Sequence, residues 1–128
     1  MVKRKSIRSS IPLEDKRTIT YVNNAYDAIL QKPDIKNVIV LNFAGIIIKT
    51  TMDLDTGYVE SGIYLSLYEK ALYILQQIDP NDEVLCVRVR TKYHETIMTP
   101  DKKILFIVTQ NPTDRINEYK DEIEENKD

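Results

Sequence analysis

The stretch Glu83–Pro112, with the sequence EVLCVRVRTKYHETIMTPDKKILFIVTQNP, decides the fold of this 128-residue chain. It contains three short apolar runs, each followed by turn-forming residues, which is the pattern of a three-stranded antiparallel meander. In the first run, Leu85, Val87 and Val89 alternate with Cys86, Arg88 and Arg90, so that one face is apolar and the other mostly polar. Alternation of this kind predicts a strand with one apolar face.

The other two runs of this stretch differ in character. The second, Thr96 to Thr99, leads into Thr99-Pro100-Asp101-Lys102, where Pro100 and Asp101 suit the two central positions of a tight turn. The third, Ile104 to Val108, is apolar on both faces. It therefore predicts a central strand that is covered on both sides.

Two further strands are predicted upstream, Val38 to Phe43 and Ile46 to Thr51, joined at Ala44-Gly45, where Gly45 can take a positive φ at little cost. The first of them is apolar on both faces apart from Asn42, so it should also be central. The five strands then form one antiparallel sheet. Its edges are the strand from Ile46 and the strand from Glu83.

Helical periodicity appears twice. From Thr18 to Lys32, apolar residues recur at intervals of three and four, with Thr18 as a plausible N-cap and Pro33 as the stop. After the polar loop that begins at Asp53, a long helix is predicted to about Ile78. The fold class is therefore α/β in the broad sense (α+β), with the five-stranded sheet sandwiched between helices. The predicted order is helix, two strands, long helix, three strands and a possible helix at 113–128.

The long helix carries two neighbouring apolar stripes. Members of the first are Ile63, Leu67, Ala71, Ile74 and Ile78, and members of the second are Tyr64, Tyr68, Leu72 and Leu75. An apolar surface this wide exceeds what one sheet face can cover. A second copy of the same helix across a two-fold axis would supply the missing contact.

The ends of the chain differ in charge from the core. Residues 1–17 carry six Lys or Arg against two Asp or Glu and predict a flexible arm, whereas 113–128 carry three against seven and predict an acidic tail that can form a helix. The domain itself is expected to span 18–112. Whether the tail docks on the sheet stays open at this point.

Composition bounds the function. A net charge of −2 gives no global attraction to nucleic acid or to an anionic membrane, and no apolar stretch approaches the roughly 18 residues of a membrane span. The single cysteine suits a reducing compartment, and the basic start of the chain has no apolar signal-peptide run. These features predict a cytoplasmic protein.

Catalytic chemistry is excluded by elimination. Cys86 and His94 are the only thiol and imidazole, and neither an even nor an odd loop between their strands brings them together as a nucleophile pair. We therefore interpret Cys86 as a small buried or half-buried apolar residue. One His and one Cys cannot form a nitrogen/sulfur metal site, and Asp53 with Asp55 fit a helix-capping loop better than a calcium loop.

Phosphate binding and RNA binding are both disfavoured by the sequence. Gly57 and Gly62 have the spacing of a phosphate loop, but the Lys and Ser/Thr that bind phosphate and magnesium are missing after them. We therefore expect no cofactor and no enzymatic activity. A set of basic residues in the hairpin comprises Arg88, Arg90, Lys92 and His94, with Lys102 and Lys103 further on. With Tyr93 as the one aromatic among them, a solvated face or a contact for an acidic partner segment is favoured over RNA.

Several separated segments resemble one known family. They are Val38 to Ile46, Thr50-Thr51, Asp79-Pro80, Arg88 to Glu95, Thr99 to Lys102 and Ile107 to Pro112. In order and spacing these are similar to the roadblock-type dynein light chains over about Pro33 to Pro112. Tyr93 departs from the pattern, because the family usually has a basic residue there.

The resemblance implies a homodimer in which the edge strands from Glu83 pair into a continuous ten-stranded sheet and the long helices pack together. It implies the dynein intermediate chain as partner, microtubule-based transport, and a cytoskeleton-associated location that is either cytoplasmic or axonemal. Scaffolding or regulation of a small GTPase is the alternative, since related domains have that role. The predicted dimer interface comprises Leu85, Val87, Val89, Tyr64, Leu67, Tyr68 and Ala71, although Tyr64 and Tyr68 suit intramolecular core packing equally well.

Overall fold

The computed structural model describes residues 13–112, with side chains from Ile19 onwards. Most of the predicted arm (1–12) and the whole acidic tail (113–128) lie outside the described residues. The described chain divides into two compact units, one up to Pro33 and one from Asp34. It forms an α+β fold with two helices and a five-stranded antiparallel sheet, in the predicted order.

The first unit contains α1, Leu13–Leu30. This helix begins five residues before the predicted start, so Thr18 lies inside it and the prediction of Thr18 as N-cap was wrong. The apolar periodicity on which that prediction rested starts only at Ile19, and a helix can extend beyond its apolar stripe. Val22 and Tyr26, the centre of the stripe, are buried. Burial, and secondarily the carboxylate of Asp27, raise the pKa of Tyr26.

The second unit contains the sheet and the long helix α2. The five strands are β1 (Ile35–Asn42), β2 (Ile47–Thr50), β3 (Val87–Arg90), β4 (Glu95–Asp101) and β5 (Ile104–Gln110). Their order across the sheet is β2-β1-β5-β4-β3, and all four neighbouring pairs are antiparallel. The predicted central strands, β1 and β5, and the predicted edges, β2 and β3, are confirmed.

The β1–β2 hairpin is closed by one side chain and one glycine. The Asn42 side-chain oxygen accepts the N–H groups of Ala44 and Ile46 at 2.9 and 3.0 Å. Gly45 takes a φ of 87°, a conformation that glycine adopts readily because it has no Cβ. The predicted turn at Ala44-Gly45 is confirmed.

The helix α2 runs from Leu54 to Ile78 and packs on one face of the sheet. Asp53 is its N-cap, accepting the N–H of Thr56, which confirms the capping interpretation of this loop. Gly57 allows close approach to β2, because a Cβ there would lie 3.2 Å from the Ile47 side chain. The core between α2 and the sheet comprises Ile39, Leu41, Leu65, Tyr68, Met98, Leu105 and Ile107.

The β4–β5 turn differs from the prediction. Asp101 still pairs with Ile104, so the turn consists of Lys102 and Lys103, with Lys102 at a φ of 57°. Placing Pro100 and Asp101 at the turn centre was therefore wrong, because both belong to β4. Pro100 is tolerated in this strand since β3 pairs only with residues 95–98 of β4, leaving no neighbour there for a missing N–H to disrupt.

The strand β3 is also shorter than predicted. Residues 83–86 are not part of it, and Leu85 is 74% exposed. Cys86 is exposed, which corrects its interpretation as a buried or half-buried residue. Alternation with Val87 and Val89 continues the strand pattern in sequence, but Leu85 and Cys86 lie before the point at which β3 meets β4.

Candidate functional site

The two stripes predicted on α2 have different environments. Tyr68, in the second stripe, is 6% exposed and packs against Phe43, with ring centroids 5.8 Å apart. Burial raises the pKa of Tyr68. Tyr64 is half-buried, and its hydroxyl lies 3.3 Å from that of Thr96 on β4. Of the interface residues predicted on this helix, Tyr68 has little surface left for a second chain, Tyr64 and Ala71 have some, and Leu67 is exposed.

The first stripe is largely in contact with solvent. Its exposed members, which we call the α2 apolar face, are Ile63, Leu67, Ile74 and Ile78. Ile63 is 63% exposed and Ile78 is 78% exposed. Large apolar side chains grouped on one helix face mark a surface that binds another molecule more often than a random surface does.

The α2 apolar face lies on the β3 side of the protomer. Tyr58 on α2 reaches β2, where its hydroxyl accepts the Ile47 N–H at 3.3 Å, whereas Tyr64 reaches β4 through Thr96. At 100° per residue, Ile63 and Leu67 lie beyond Tyr64 on the helix surface, away from Tyr58. The exposed helix face and the edge strand β3 therefore share one side.

The edge strand β3 turns its two valines inward. Val87 and Val89 pack against the core under α2, so their side chains serve the protomer itself. Among the strands that the structure describes, β3 pairs with β4 and lies at the edge of the sheet. Thr91 donates its N–H to the His94 carbonyl at 2.8 Å, and the alternation of an antiparallel ladder then directs the N–H groups of Arg88 and Arg90 away from β4.

The other edge, β2, is closed in two ways. Its pairing with β1 contains a register shift, because Val40 pairs with Lys49 and the next residue, Leu41, pairs with Ile47. This bulge leaves Ile48 without a direct partner on β1. The Ile47 N–H is occupied by the Tyr58 hydroxyl. A short, bulged edge with an occupied amide is a poor template for another strand.

The predicted basic face does not form one surface. Arg88 alternates with Val87 and Val89, so it points to the sheet face opposite α2, where it pairs with Glu95 at 3.1 Å. Glu95 also accepts from the Gln110 side chain at 3.0 Å. His94 instead faces the α2 side. Lys92 lies in the turn between β3 and β4, where its Nζ is 5.8 Å from the centre of the Tyr93 ring.

A cavity of about 350 Å³ lies between α2 and the end of the sheet. We call it the Lys36 cavity; its lining residues are Lys36, Asn37, Glu60, Ile63, Tyr64, Thr91, His94, Thr96 and Thr109. Its floor carries a hydroxyl chain in which Thr96 contacts Tyr64 at 3.3 Å and Thr109 at 3.1 Å. Thr96 is buried. Sequence reasoning missed this cavity, because its residues come from four separate stretches of the chain.

The surroundings of His94 in this cavity favour its neutral form. The Lys36 ammonium donates to His94 Nε2 at 2.9 Å, which requires that nitrogen to be unprotonated. Burial first, and the Lys36 charge second, lower the pKa of His94, while Glu60 acts in the opposite direction. The turn around it is fixed by Thr91, whose hydroxyl donates to the His94 carbonyl at 3.1 Å and accepts the His94 N–H at 3.0 Å.

Within residues 13–112, no group of three or more His, Cys, Asp or Glu side chains is placed to hold a metal ion. None of the helices in that range is both long and apolar enough to cross a membrane. The four-residue loop between Arg90 and Glu95 is even, which turns His94 away from the side of Cys86.

An exposed apolar helix face beside an edge strand is typical of a surface that binds another molecule. The Roadblock/LC7 domain family matches residues 21–111 of this chain. The match covers well over half of the sequence, and the chain therefore belongs to the Roadblock/LC7 domain family. Members of this family are generally non-catalytic.

Two solved structures with TM-scores above 0.5 share this fold, and a third similar structure has a lower score. The Roadblock/LC7 domain from Streptomyces avermitilis is 13% identical, with a TM-score of 0.60, over 64% of this chain and 70% of that one. MglB from Myxococcus xanthus is 14% identical, with a TM-score of 0.51, over 70% and 74%. MglC from the same organism is 19% identical, with a TM-score of 0.39, over 62% and 70%.

Proposed function

We propose that this chain is a non-catalytic interaction module that works as a homodimer, with two protomers meeting along β3 and the α2 apolar face. The observation that carries the proposal is that the exposed helix face and the edge strand lie on the same side of the protomer. Two β3 strands paired antiparallel would extend the sheet from five strands to ten. Each face residue removed from water would add up to roughly 1.5–3 kcal/mol for full burial of its side chain.

The predicted interface changes in composition under this proposal. Leu67 stays in it, and Ile63, Ile74 and Ile78 join it, because these side chains are exposed in the protomer. Tyr68 leaves it, since it already belongs to the core. Val87 and Val89 act through the main chain of their strand rather than through their side chains.

We further propose a small GTPase as the partner of the dimer. We prefer a GTPase to the dynein intermediate chain because of the two solved structures with TM-scores above 0.5. Both come from bacteria, and neither is described as a dynein light chain. The motif resemblance over Arg88 to Glu95 and Ile107 to Pro112 supports the second candidate, an accessory light chain that binds the dynein intermediate chain.

Calorimetric titration separates the two partners. The full chain is titrated with small GTPases from the same cell, loaded either with GDP or with a non-hydrolysable GTP analogue, and with the disordered segment of the intermediate chain. A scaffold or regulator of a GTPase is expected to bind one nucleotide state more tightly. Saturable binding of the intermediate-chain segment at one per protomer, with a negative heat-capacity change, would establish the light-chain function instead.

The proposal includes a cytoplasmic location, supported by the single cysteine and the small net charge. Cytoskeletal association is proposed only together with the dynein partner. Microscopy of the fluorescently tagged chain tests both: diffuse cytoplasmic signal is expected for the GTPase scaffold, and signal along microtubules or an axoneme would favour the light chain.

A further inference from the structure

The Lys36 cavity lies beside the point at which the described chain ends. Thr109 lines the cavity, and β5 continues past it to Gln110. Asn111 then donates its N–H to the Asp34 carbonyl at 2.8 Å, which fixes the chain at this end of the sheet. Extended backbone advances roughly 3.3 Å per residue, so residue 113 begins within about 13 Å of the Thr109 backbone. Pro112, the last residue that the structure describes, therefore lies near this cavity, and the acidic segment 113–128 follows it in the sequence.

Two lysines lie at this cavity or in the adjoining turn, and Asp34 and Glu60 are the acidic residues near them. Lys36 is exposed at the cavity, where one of its three N–H donors is directed to His94. Lys92 is exposed in the adjoining turn. Glu60 on α2 is a negative charge in the cavity lining. The Glu95 carboxylate lies on the opposite sheet face, where Arg88 and Gln110 bind it. Seven acidic and three basic residues in 113–128 give that segment the complementary sign.

We propose that the acidic segment 113–128 docks over the Lys36 cavity of its own protomer, with its carboxylates at Lys36 and Lys92. A tether of a few residues gives an effective concentration on the order of millimolar, so even a weak contact is populated. The other basic pair on the sheet, Lys102 and Lys103, lies at the far end of β5, about seven residues or ~23 Å from Gln110. Reach therefore favours the Lys36 end.

The segment also has an apolar component that fits this end of α2. Ile116, Tyr119 and Ile123 recur at intervals of three and four, and they would share one side if the segment is helical. Ile63 is the exposed apolar wall of the cavity and the first residue of the α2 apolar face. The docked segment would cover Ile63, and it would then compete with other molecules for that face. The docking itself does not depend on the proposed dimer.

Zero-length crosslinking of the full chain tests the position. A carbodiimide joins lysine amines to carboxylates in contact, and mass spectrometry locates the products. Crosslinks from 113–128 to Lys36 or Lys92 are expected, and Lys102 and Lys103 serve as matched controls that should give far fewer. A mixture of isotopically heavy and light protein distinguishes the two origins: crosslinks within one chain support the proposal, and crosslinks only between chains overturn it.

The single histidine supplies a second readout. In the full chain, Asp114, Glu118, Asp121 and Glu122 are changed to the corresponding amides, and His94 is titrated by NMR. The groups that face His94 are Lys36 from β1 and Glu60 from α2. Removal of nearby carboxylates destabilises the imidazolium, so the His94 titration midpoint should move to lower pH at low salt and less so at 0.5 M salt, where roughly 4 Å of screening length remains.

The two readouts decide the proposal together. A lower midpoint with crosslinks at Lys36 or Lys92 supports docking over the cavity. An unchanged midpoint overturns it, whatever crosslinks are found, because the carboxylates then lie away from His94. Equal crosslinking to the Lys102–Lys103 pair also overturns it, since that result describes a segment with no preferred site.

Discussion

The two edges of the sheet, β2 and β3, face the same physical problem and solve it differently. An edge strand presents a row of main-chain N–H and C=O groups with which another strand can pair. The β2 edge is a poor template for pairing, because its ladder with β1 is bulged at Ile48 and the Tyr58 hydroxyl accepts the Ile47 N–H. In β3 the register with β4 is regular over all four residues.

The apolar surface of α2 is distributed in the same unequal way. On the β2 side the helix approaches closely through Gly57 and contacts Ile47. On the β3 side it presents the α2 apolar face to solvent. One edge of this domain is therefore closed within the protomer, whereas the other is the edge at which we propose that a second copy pairs.

The largest effect is expected from a charge placed on the α2 apolar face. Ile74 and Ile46 are matched isoleucines, 53% and 55% exposed, on the β3 and β2 sides respectively. Ile74→Lys should weaken the dimer by about 2 kcal/mol or more, roughly thirty-fold in Kd, because a buried ammonium would lack a partner. Ile46→Lys should leave the dimer unchanged. Sedimentation equilibrium measures both, and equal weakening by the two variants would contradict the comparison.

A second variant removes one outward main-chain donor from β3. Arg88→Pro deletes an N–H that is directed away from β4, and dimerisation should weaken by about 1.4 kcal/mol, or tenfold in Kd. Arg88→Ala is the control, since it loses the contact with Glu95 but keeps the N–H. Urea unfolding of both variants at low concentration checks the protomer. If Arg88→Ala weakens the dimer as much as Arg88→Pro does, the side chain and not the strand edge makes the contact.

A smaller effect is expected at the closed edge. Tyr58→Phe removes the hydroxyl that accepts the Ile47 N–H, and the free energy of unfolding should fall by about 0.5–1.5 kcal/mol. The change should also increase light scattering at high concentration, because β2 regains an unpaired amide. Tyr73→Phe, on an exposed part of α2, is the matched control and should be close to neutral. Comparable loss of stability in both variants would show that Tyr58 does not protect this edge.

The smallest effect concerns the turn that holds β3 to β4. The pKa of His94 is lowered in the folded state from its ordinary value of 6.5, so the unfolded chain binds more protons as the pH falls through that value. The stability from this turn is therefore complete above about pH 6.5 and decreases as the pH falls below it. His94→Gln, which keeps a neutral acceptor for Lys36, should flatten this part of the curve of unfolding free energy against pH. An unchanged curve would mean that other groups carry it.

Most of the sheet could be predicted from the sequence, because the pattern of apolar residues in each strand reflects how many of its faces are covered. Ile104 to Val108 is apolar at every position and is central, whereas Val87 to Arg90 alternates and lies at an edge. The wrong predictions arose where the same residues fit two different local structures. Pro100 and Asp101 suit a turn, but pairing with β5 continues through both and moves the turn to Lys102.

The candidate site was predictable only in outline. Two apolar stripes on α2 indicated a surplus of apolar surface, but periodicity does not say which stripe meets the sheet. The structure assigns the Tyr68 stripe to the core and the Ile63 stripe to solvent. For the Lys36 cavity, the available signal was a pair of threonines, Thr96 and Thr109, at core-facing positions of neighbouring strands.

Amide hydrogen exchange of the full chain at two concentrations tests the central claim most directly. If two protomers pair along β3, the N–H groups of Arg88 and Arg90 should exchange slowly in concentrated solution and faster on dilution below the dimer Kd. The N–H of Ile48 in β2 should exchange at the same rate at both concentrations. Fast exchange of Arg88 and Arg90 in a sample that sedimentation shows to be dimeric would place the interface elsewhere and contradict the account.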